Sequence, residues 1–199
     1  MADLFTLDDY KTFKGIEHFK DDSKISALVS PISELVKTYC GTSFVDYYSS
    51  ALTEKFDIMD NQTTEVFVTE SPLNSVTSVK ERSGLGVAYE TLTNNEDYYI
   101  DSEHDRIFRI DGDISPRSFP RGFAAVEVIY TAGYSATPPD LKLALFDLTT
   151  YYLKEEYKGR KSLAGAAIQN ETATSIRDDI GFPDHIKRIL DMHRIVDVM

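Results

Sequence analysis

A serine in a tight turn is the side chain whose type and spacing best suit nucleophilic chemistry. It lies in the segment GYSAT, residues 133–137, between a β-branched run and a helix-forming run. A serine at such a turn resembles the G-x-S-x-G nucleophile elbow of hydrolases, which sits on a parallel α/β sheet. Here the fifth position is threonine, and Pro138 and Pro139 delay the helix. We therefore interpret Ser135 as a turn serine and keep a small hydrolase that uses it as the less favoured alternative.

Five acidic residues in a short stretch are candidates for a cation site. They are Asp101, Glu103, Asp105, Asp111 and Asp113. Their alternation resembles the start of a D-x-D-x-D-G calcium loop, which has a glutamate at its last position. Arg106 stands at the glycine position and Gly112 at the glutamate position, so the match fails. Solvated hairpin ends are the favoured interpretation.

The histidines and the cysteine do not form a metal-binding pattern. His185 and His193 are eight residues apart on one predicted helix, whereas joint metal binding favours i, i+4 or similar spacing. Cys40 is the only cysteine, so the chain has no internal disulfide and no cysteine-based zinc site. We expect no catalytic residues, no cofactor and no metal, and hence a protein that is not an enzyme.

Composition and charge predict a folded, acidic protein. The chain has 199 residues, 42% of them hydrophobic, and its net charge is −12. A protein that wraps nucleic acid needs Lys and Arg to displace counterions, so this charge argues against that class. An acidic wall would still let a duplex slide past without adhering. The first 20 residues carry four acidic side chains and no apolar run, so we expect neither a signal peptide nor a membrane anchor.

Two helices are predicted near the start of the chain. Thr6 suits the N-cap of a short helix that reaches Lys14. Apolar residues from position 25 to 39 recur at helical spacing and form one stripe, which predicts a second helix that ends at Gly41. Pro31 lies within this stripe without shifting its phase, so we expect a kink or two abutting helical segments there.

A third predicted helix, from about residue 139 to 157, is apolar on more than one side. Its main stripe consists of Leu141, Leu145, Leu148 and Tyr152. Off that stripe lie Leu143, Phe146 and Leu153. A helix that is apolar over so wide an arc is covered on two sides. The second cover is either another subunit or the core of a monomer, and periodicity alone leaves both open.

The end of the chain combines a polar stretch with an apolar terminus. Residues 162–179 are small and polar, which is typical of a loop. A last helix is predicted to begin near Pro183, and Ile195, Val196 and Val198 follow it. An apolar terminus usually docks, either on its own fold or on a partner.

Between the second and third helices the pattern changes to short β-prone runs. Candidate strands span residues 51–58, 65–69, 76–81, 87–92, 98–101, 106–110 and 124–130. Turns rich in Asn, Asp, Gly and Ser separate them. The predicted fold class is α+β: a helical bundle of about four helices, two before and two after, with a small antiparallel β insertion at residues 51–131.

Three segments of the chain resemble one family of viral proteins. The first is ISALVSPISELVKTYCGTSF, residues 25–44, and the second is the YTAGY–PPDLK junction within residues 130–142. The third is GFPDHIKRILDMHRIV, residues 181–196. In order and spacing they are similar to the head-tail connector family of long-tailed phages, whose members are also called adaptors or head completion proteins.

The resemblance implies a structural protein of the virion neck that assembles in the host cytoplasm. Members of that family form a ring, usually of about twelve copies, beneath the portal protein. The ring extends the DNA channel and provides the docking surface for a stopper or tail-completion protein. Genomic DNA would pass through it without sequence-specific binding, and no membrane is involved. A tail-completion protein or another virion structural protein is the nearer alternative.

The resemblance also implies two interfaces within a single adaptor domain of residues 1–199. Residues 183–199 would be the C-terminal helix and docking tail, with its packing on its own domain as the alternative. Portal docking would use Arg188, Ile189, Leu190, Arg194, Ile195 and Val196. The interface between ring subunits would use Leu143, Phe146, Tyr151 and Leu153.

Overall fold

The computed structural model describes residues 2–113, 115–154 and 182–195. The chain divides into two compact units, Met1–Thr42 with Ala136–Met199, and Ser43–Ser135. The predicted organisation, one adaptor domain with a β-rich insertion and a C-terminal docking tail, stays a prediction. No helix in the described ranges is long and apolar enough to cross a bilayer.

The first unit is helical, with four helices among its described residues. They are α1 (Leu7–Lys14), α2 (Asp22–Cys40), α3 (Pro139–Leu153) and α4 (Asp184–Met192). The predicted cap of α1 is confirmed, because the Thr6 hydroxyl accepts from the Asp9 amide and the Asp9 carboxylate accepts from the Thr6 amide. Gly41 ends α2 with a φ of 73°, a left-handed conformation that suits glycine.

Two of the helices differ in detail from the sequence-based expectation. The chain continues through Pro31 as one helix, α2. The last described residue after α3 is Lys154, so the rest of the predicted third helix and the predicted loop to residue 179 lie outside the described residues.

Apolar side chains from three helices and the N-terminal segment form the core of the helical unit. The buried ones include Leu4, Phe5, Ile25, Val36, Leu141, Leu145, Leu148, Ile186 and Leu190. Full burial of each large aliphatic side chain contributes roughly 2 kcal/mol. Two hydrogen bonds attach the N-terminal segment to this core: the Leu4 amide donates to Ser33 Oγ at 3.0 Å, and Thr137 Oγ1 donates to the Leu4 carbonyl at 2.6 Å.

The second unit is built of β-strands, seven in the part of the chain that the structure describes. They are β1 (Leu52–Ile58), β2 (Glu65–Phe67), β3 (Leu73–Glu81), β4 (Glu90–Thr91), β5 (Tyr98–Asp101), β6 (Arg106–Arg109) and β7 (Gly122–Ala132). Within the described residues these strands form two antiparallel sheets, ordered β1-β7-β3-β4 and β2-β6-β5.

Strand β7 organises the larger sheet because it pairs with β1 on one side and β3 on the other. Tyr130 lies opposite Leu52 and Val76. Alternate residues of β7 are buried, and Val128 and Tyr130 are fully enclosed. Side chains from both sheets join them in one hydrophobic core.

A buried ion pair connects the two sheets. The guanidinium of Arg109, on β6, donates to both carboxylate oxygens of Glu81, on β3, at 2.9 and 3.1 Å. Its remaining nitrogen donates to the Ile110 carbonyl at 2.7 Å. A buried charge is tolerated when it is paired and hydrogen-bonded in this way.

The predicted fold class, a helical bundle with a small β insertion, is wrong. The chain is α+β, but its strands make two sheets that enclose a core of their own, so the β part is a full structural unit. Each predicted strand has a counterpart, though β4 keeps only two residues of its predicted run. The prediction underestimated the size of the β part. A strand of a few residues gives a weak local signal, and the pairing of β1 with β7 joins segments about seventy residues apart, which local patterns do not show.

Candidate interaction surfaces

The turn that contains Ser135 has a structural explanation. Ser135 is exposed between β7 and α3. The preceding Gly133 has a φ of 95°, and a Cβ there would collide with the Phe44 carbonyl oxygen. The amide of Gly133 donates to the Pro72 carbonyl at 2.8 Å, and the amide of Tyr134 donates to the Phe44 carbonyl at 2.7 Å. The glycine of the YTAGY motif is therefore required by a close backbone approach.

The acidic cluster is used in turns of the β unit. Asp101 accepts from Arg106 at 2.8 Å and contacts His104 at 3.0 Å. Asp105 accepts from the Leu73 amide at 2.6 Å, and Asp111 accepts from two amides in its own turn. The hydrogen bond from Arg106 lowers the pKa of Asp101. Asp101, Glu103 and Asp105 thus lie in or beside the hairpin turn between β5 and β6, whereas Asp111 and Asp113 lie in the connection from β6 to β7. No group of three metal-ligating side chains forms in the described ranges.

The lone cysteine is an internal residue of the helical unit. Cys40 is fully buried, and its Sγ donates to the Leu190 carbonyl at 3.6 Å. Burial, together with the nearby charge of Asp191, raises the pKa of the thiol to about 12. The thiol is therefore protonated at neutral pH and acts as a small hydrophobe.

The residues predicted for the ring interface divide between surface and core. Leu143 is 41% exposed and Leu153 is half-buried. Phe146 and Tyr151 are buried, and the ring of Phe146 lies 5.9 Å from that of Phe5 and 4.8 Å from that of Phe13. The N-terminal segment and α1 of the same chain thus cover Phe146 on the second apolar side of α3, whereas Leu143 on that side stays exposed. The assignment of these four residues to a ring interface stays a prediction.

Helix α4, predicted to dock on the portal, packs within its own unit. Leu190 is fully buried, and the Tyr39 hydroxyl donates to Asp191 at 2.6 Å. His193 Nε2 lies 2.7 Å from the Asp140 carboxylate, and the Ile195 amide donates to the Cys40 carbonyl at 2.9 Å. The outward part of the predicted docking set is a smaller group. It consists of the exposed Arg188 and Arg194 and the half-buried Ile189 and Ile195.

The remaining member of that set, Val196, lies outside the described residues. A role of the six residues in docking on the portal stays a prediction. Because Leu190 is enclosed, it can contact a partner only after α4 leaves its place on α2 and α3.

One surface of the β unit was missed by reasoning from the sequence. On the outward side of the sheet β2-β6-β5, Phe67 is 57% exposed, Tyr99 is 51% exposed, and Phe108 is partly exposed. Tyr99 lies directly opposite Phe108 in the register of the strands. The period-2 alternation of each strand placed these aromatic residues on one side, but the pairing of the strands was needed to bring them together.

A family comparison decides what kind of protein carries these surfaces. A sequence model of the family described as "Head completion protein" matches residues 3–196. The chain belongs to the head completion protein family. The predicted recognition is thereby confirmed, as is the prediction of a viral protein that acts in head completion during phage assembly.

Among individual relatives, the head completion protein of Escherichia phage T5 is 27% identical over 195 residues. The alignment covers 97% of this chain and 99% of the T5 protein. The likeness therefore extends over both units and is not confined to the three motifs.

Solved structures with the same fold come from gene transfer agent (GTA) particles. A chain in the neck of the empty GTA particle, computed with C6 symmetry, has a TM-score of 0.59 and 15% identity, covering 98% of this chain and 92% of that one. A chain in the neck of the native particle, computed with C12 symmetry, has a TM-score of 0.54 and 14% identity, with coverage of 100% and 96%. At these identities the likeness shows a shared fold.

Proposed function

We propose that this head completion protein is a head-tail adaptor that forms a ring beneath the portal. In that place it extends the DNA channel and presents the docking surface for the stopper or tail-completion protein. The observation that carries the proposal is the family match over residues 3–196, together with a T5 relative aligned over almost its whole length.

A ring of twelve copies is the proposed assembly. The neck structures that share this fold were computed with sixfold and twelvefold symmetry. A cyclic ring joins two different surfaces of neighbouring copies, and many copies multiply a modest contact. Of the residues proposed for the ring interface, Leu143 and Leu153 reach the surface of α3. We assign the contact to them, with Phe146 and Tyr151 supporting the helix from within.

Docking on the portal is assigned to the outward side of α4 and the residues after it. There Arg188 and Arg194 supply exposed charges beside the half-buried Ile189 and Ile195. An apolar centre with a polar rim is the usual composition of a protein interface. Leu190 and Val196 complete the proposed docking set. The buried Leu190 contributes by holding α4 in place.

The acidic charge suits a channel through which DNA passes. Residues 43–135 carry 16 Asp and Glu against 7 Lys and Arg, a net charge of −9 out of −12 for the chain. Such a surface repels phosphate, so a duplex moves past it without sequence-specific binding.

A structural role without catalysis is part of the proposal. Ser135 is exposed, and among the described histidines His104 pairs with Asp101 and His193 with Asp140. A serine nucleophile requires a base within hydrogen-bond reach. Because these two histidines pair with carboxylates elsewhere, we do not assign either of them as a base for Ser135.

Light scattering of the purified chain with and without the portal of the same phage tests the proposal. We expect a stoichiometric complex whose mass corresponds to about twelve copies on each portal. Arg188→Glu combined with Ile189→Ser should weaken that complex, whereas Lys24→Glu, an exposed charge reversal on α2, should leave it unchanged. The absence of any complex between the unaltered chain and its portal would contradict the proposal.

A further inference from the structure

The two sheets of the β unit present different surfaces to their outward sides. On the larger sheet, Lys55, Glu127 and Lys80 lie in one cross-strand row, with ion pairs of 3.6 and 3.0 Å. In the next row of the same side, Thr53 and Ser78 flank the partly buried Ile129. Apart from Ile129, the side chains of these two rows are polar or charged, as on a solvated sheet surface.

The smaller sheet instead presents aromatic residues on its outward side. Val66 and Ile107 point into the core, so their neighbours Phe67 and Phe108 point away from it. The guanidinium of Arg106 lies 4.6 Å from the centre of the Phe108 ring. Single exposed aromatic residues are common on protein surfaces. Here Phe67, Tyr99 and Phe108 share one side of one sheet, and they define the aromatic face.

Two acidic side chains lie on the same side of the smaller sheet as the aromatic residues, and a third lies in its hairpin turn. Glu65 and Asp101 both pair with Arg106, at 3.2 and 2.8 Å, which leaves this group with one net negative charge. Glu103 is exposed in the turn that joins β5 and β6. Surfaces that stack single-stranded nucleic acid combine aromatic residues with a basic groove. The charge here is of the opposite sign, so nucleic acid does not suit this surface.

The same charge argues against the aromatic face of a second copy as the occupant. If the aromatic faces of two copies met, Glu65, Asp101 and Glu103 of one copy would lie against the same acidic residues of the other. Like charges placed across an interface are destabilising, and opposite charges promote association. Aromatic residues and arginine are also the side chains most enriched where proteins bind other proteins.

We propose that the aromatic face binds a different neck protein, one whose contact surface is apolar at its centre and basic at its rim. Phe67, Tyr99 and Phe108 are the anchors, while Glu65, Asp101 and Glu103 attract the basic rim. This proposal rests on the proposed function, because it takes the partner from the proteins that adjoin the adaptor in the neck.

The test compares two variants of the full chain in binding to the purified portal and to the purified tail-completion protein of the same phage. The first variant combines Phe67→Thr with Tyr99→Thr, since threonine preserves the tendency to form strands. The matched control is Phe123→Thr, which removes an aromatic side chain of similar exposure, 60%, from the larger sheet. We expect the double variant to bind the tail-completion protein at least about 30-fold more weakly, with its affinity for the portal unchanged because portal docking is assigned to α4, and the control to bind both as the unaltered chain does.

If the double variant folds poorly, a charge variant provides a second, independent measurement of the contact. Glu103→Lys should slow association with the same partner, and association of the unaltered chain should slow as salt rises from about 0.05 to 0.5 M. Rates unchanged by both the variant and salt would overturn the acidic-rim part of the proposal.

Three outcomes would overturn the proposal. If the double variant binds the tail-completion protein as tightly as the unaltered chain does, the aromatic face takes no part in binding. If light scattering shows that the double variant no longer forms the ring but still binds its partners, a second copy is the occupant. If the unaltered chain binds a single-stranded oligonucleotide and the double variant does not, nucleic acid is the occupant. Failure of the unaltered chain to bind either protein would instead overturn the proposed function, and this inference with it.

Discussion

At the scale of single residues, Gly133 of the YTAGY motif is required by the conformation of the backbone and by a close backbone neighbour. Gly133→Ala should destabilise the protein by about 2 kcal/mol or more, because its φ is positive and the new Cβ would meet the Phe44 carbonyl. Gly86→Ala is the matched control: nothing lies within 4 Å of its Cβ position, so its effect should be small. Urea unfolding measures both, and equal midpoints for the two variants would contradict the assignment.

The contact between Asp140 and His193 predicts a dependence of stability on pH. Partial burial acts to raise the pKa of Asp140, but the hydrogen bond from His193 and those from backbone amides outweigh it, so the pKa lies below its ordinary value of 3.8. The stabilisation is therefore fully present above pH 3.8 and is lost as the pH falls through the lower pKa of the folded state. The Asp140 side chain is 47% exposed, so we expect no more than about 0.5 kcal/mol.

The measurement is urea unfolding of the unaltered chain and of Asp140→Asn in a series from about pH 6 to pH 3. The difference in free energy of unfolding between the two should shrink toward the acid end. A difference that stays constant over the whole series would show that this hydrogen bond does not hold the carboxylate in its charged form.

At the scale of elements, α4 is the helix whose packing carries the most consequence. Leu190→Ala should cost about 3 kcal/mol, because the side chain is fully buried and a cavity would remain. The amides of α4 should then exchange with deuterium much faster. Met192→Ala, on the same helix but 69% exposed, should change neither quantity measurably. Exchange in α4 that is already fast in the unaltered chain would contradict the stable packing.

The elements also show how far the sequence could be interpreted. The cap at Thr6, the stripe of α2 and the start of α3 are local signals, and each predicted its helix correctly. Phe5 covers α3 through a contact with Phe146, which lies more than a hundred residues away in the sequence. The periodicity of α3 alone does not reveal such a contact. For the same reason the size of the β unit and its aromatic face became visible only with the pairing of β2, β5 and β6.

At the scale of the whole molecule, the central claim is that this head completion protein forms the adaptor ring of the neck. A cryo-EM reconstruction of the head-tail neck in virions of its own phage tests that claim most directly. We predict a ring of this chain beneath the portal, with α4 toward the portal and the β unit contacting a second neck protein. A neck reconstruction in which the chain is absent, or is present only as isolated copies away from the channel, would contradict it.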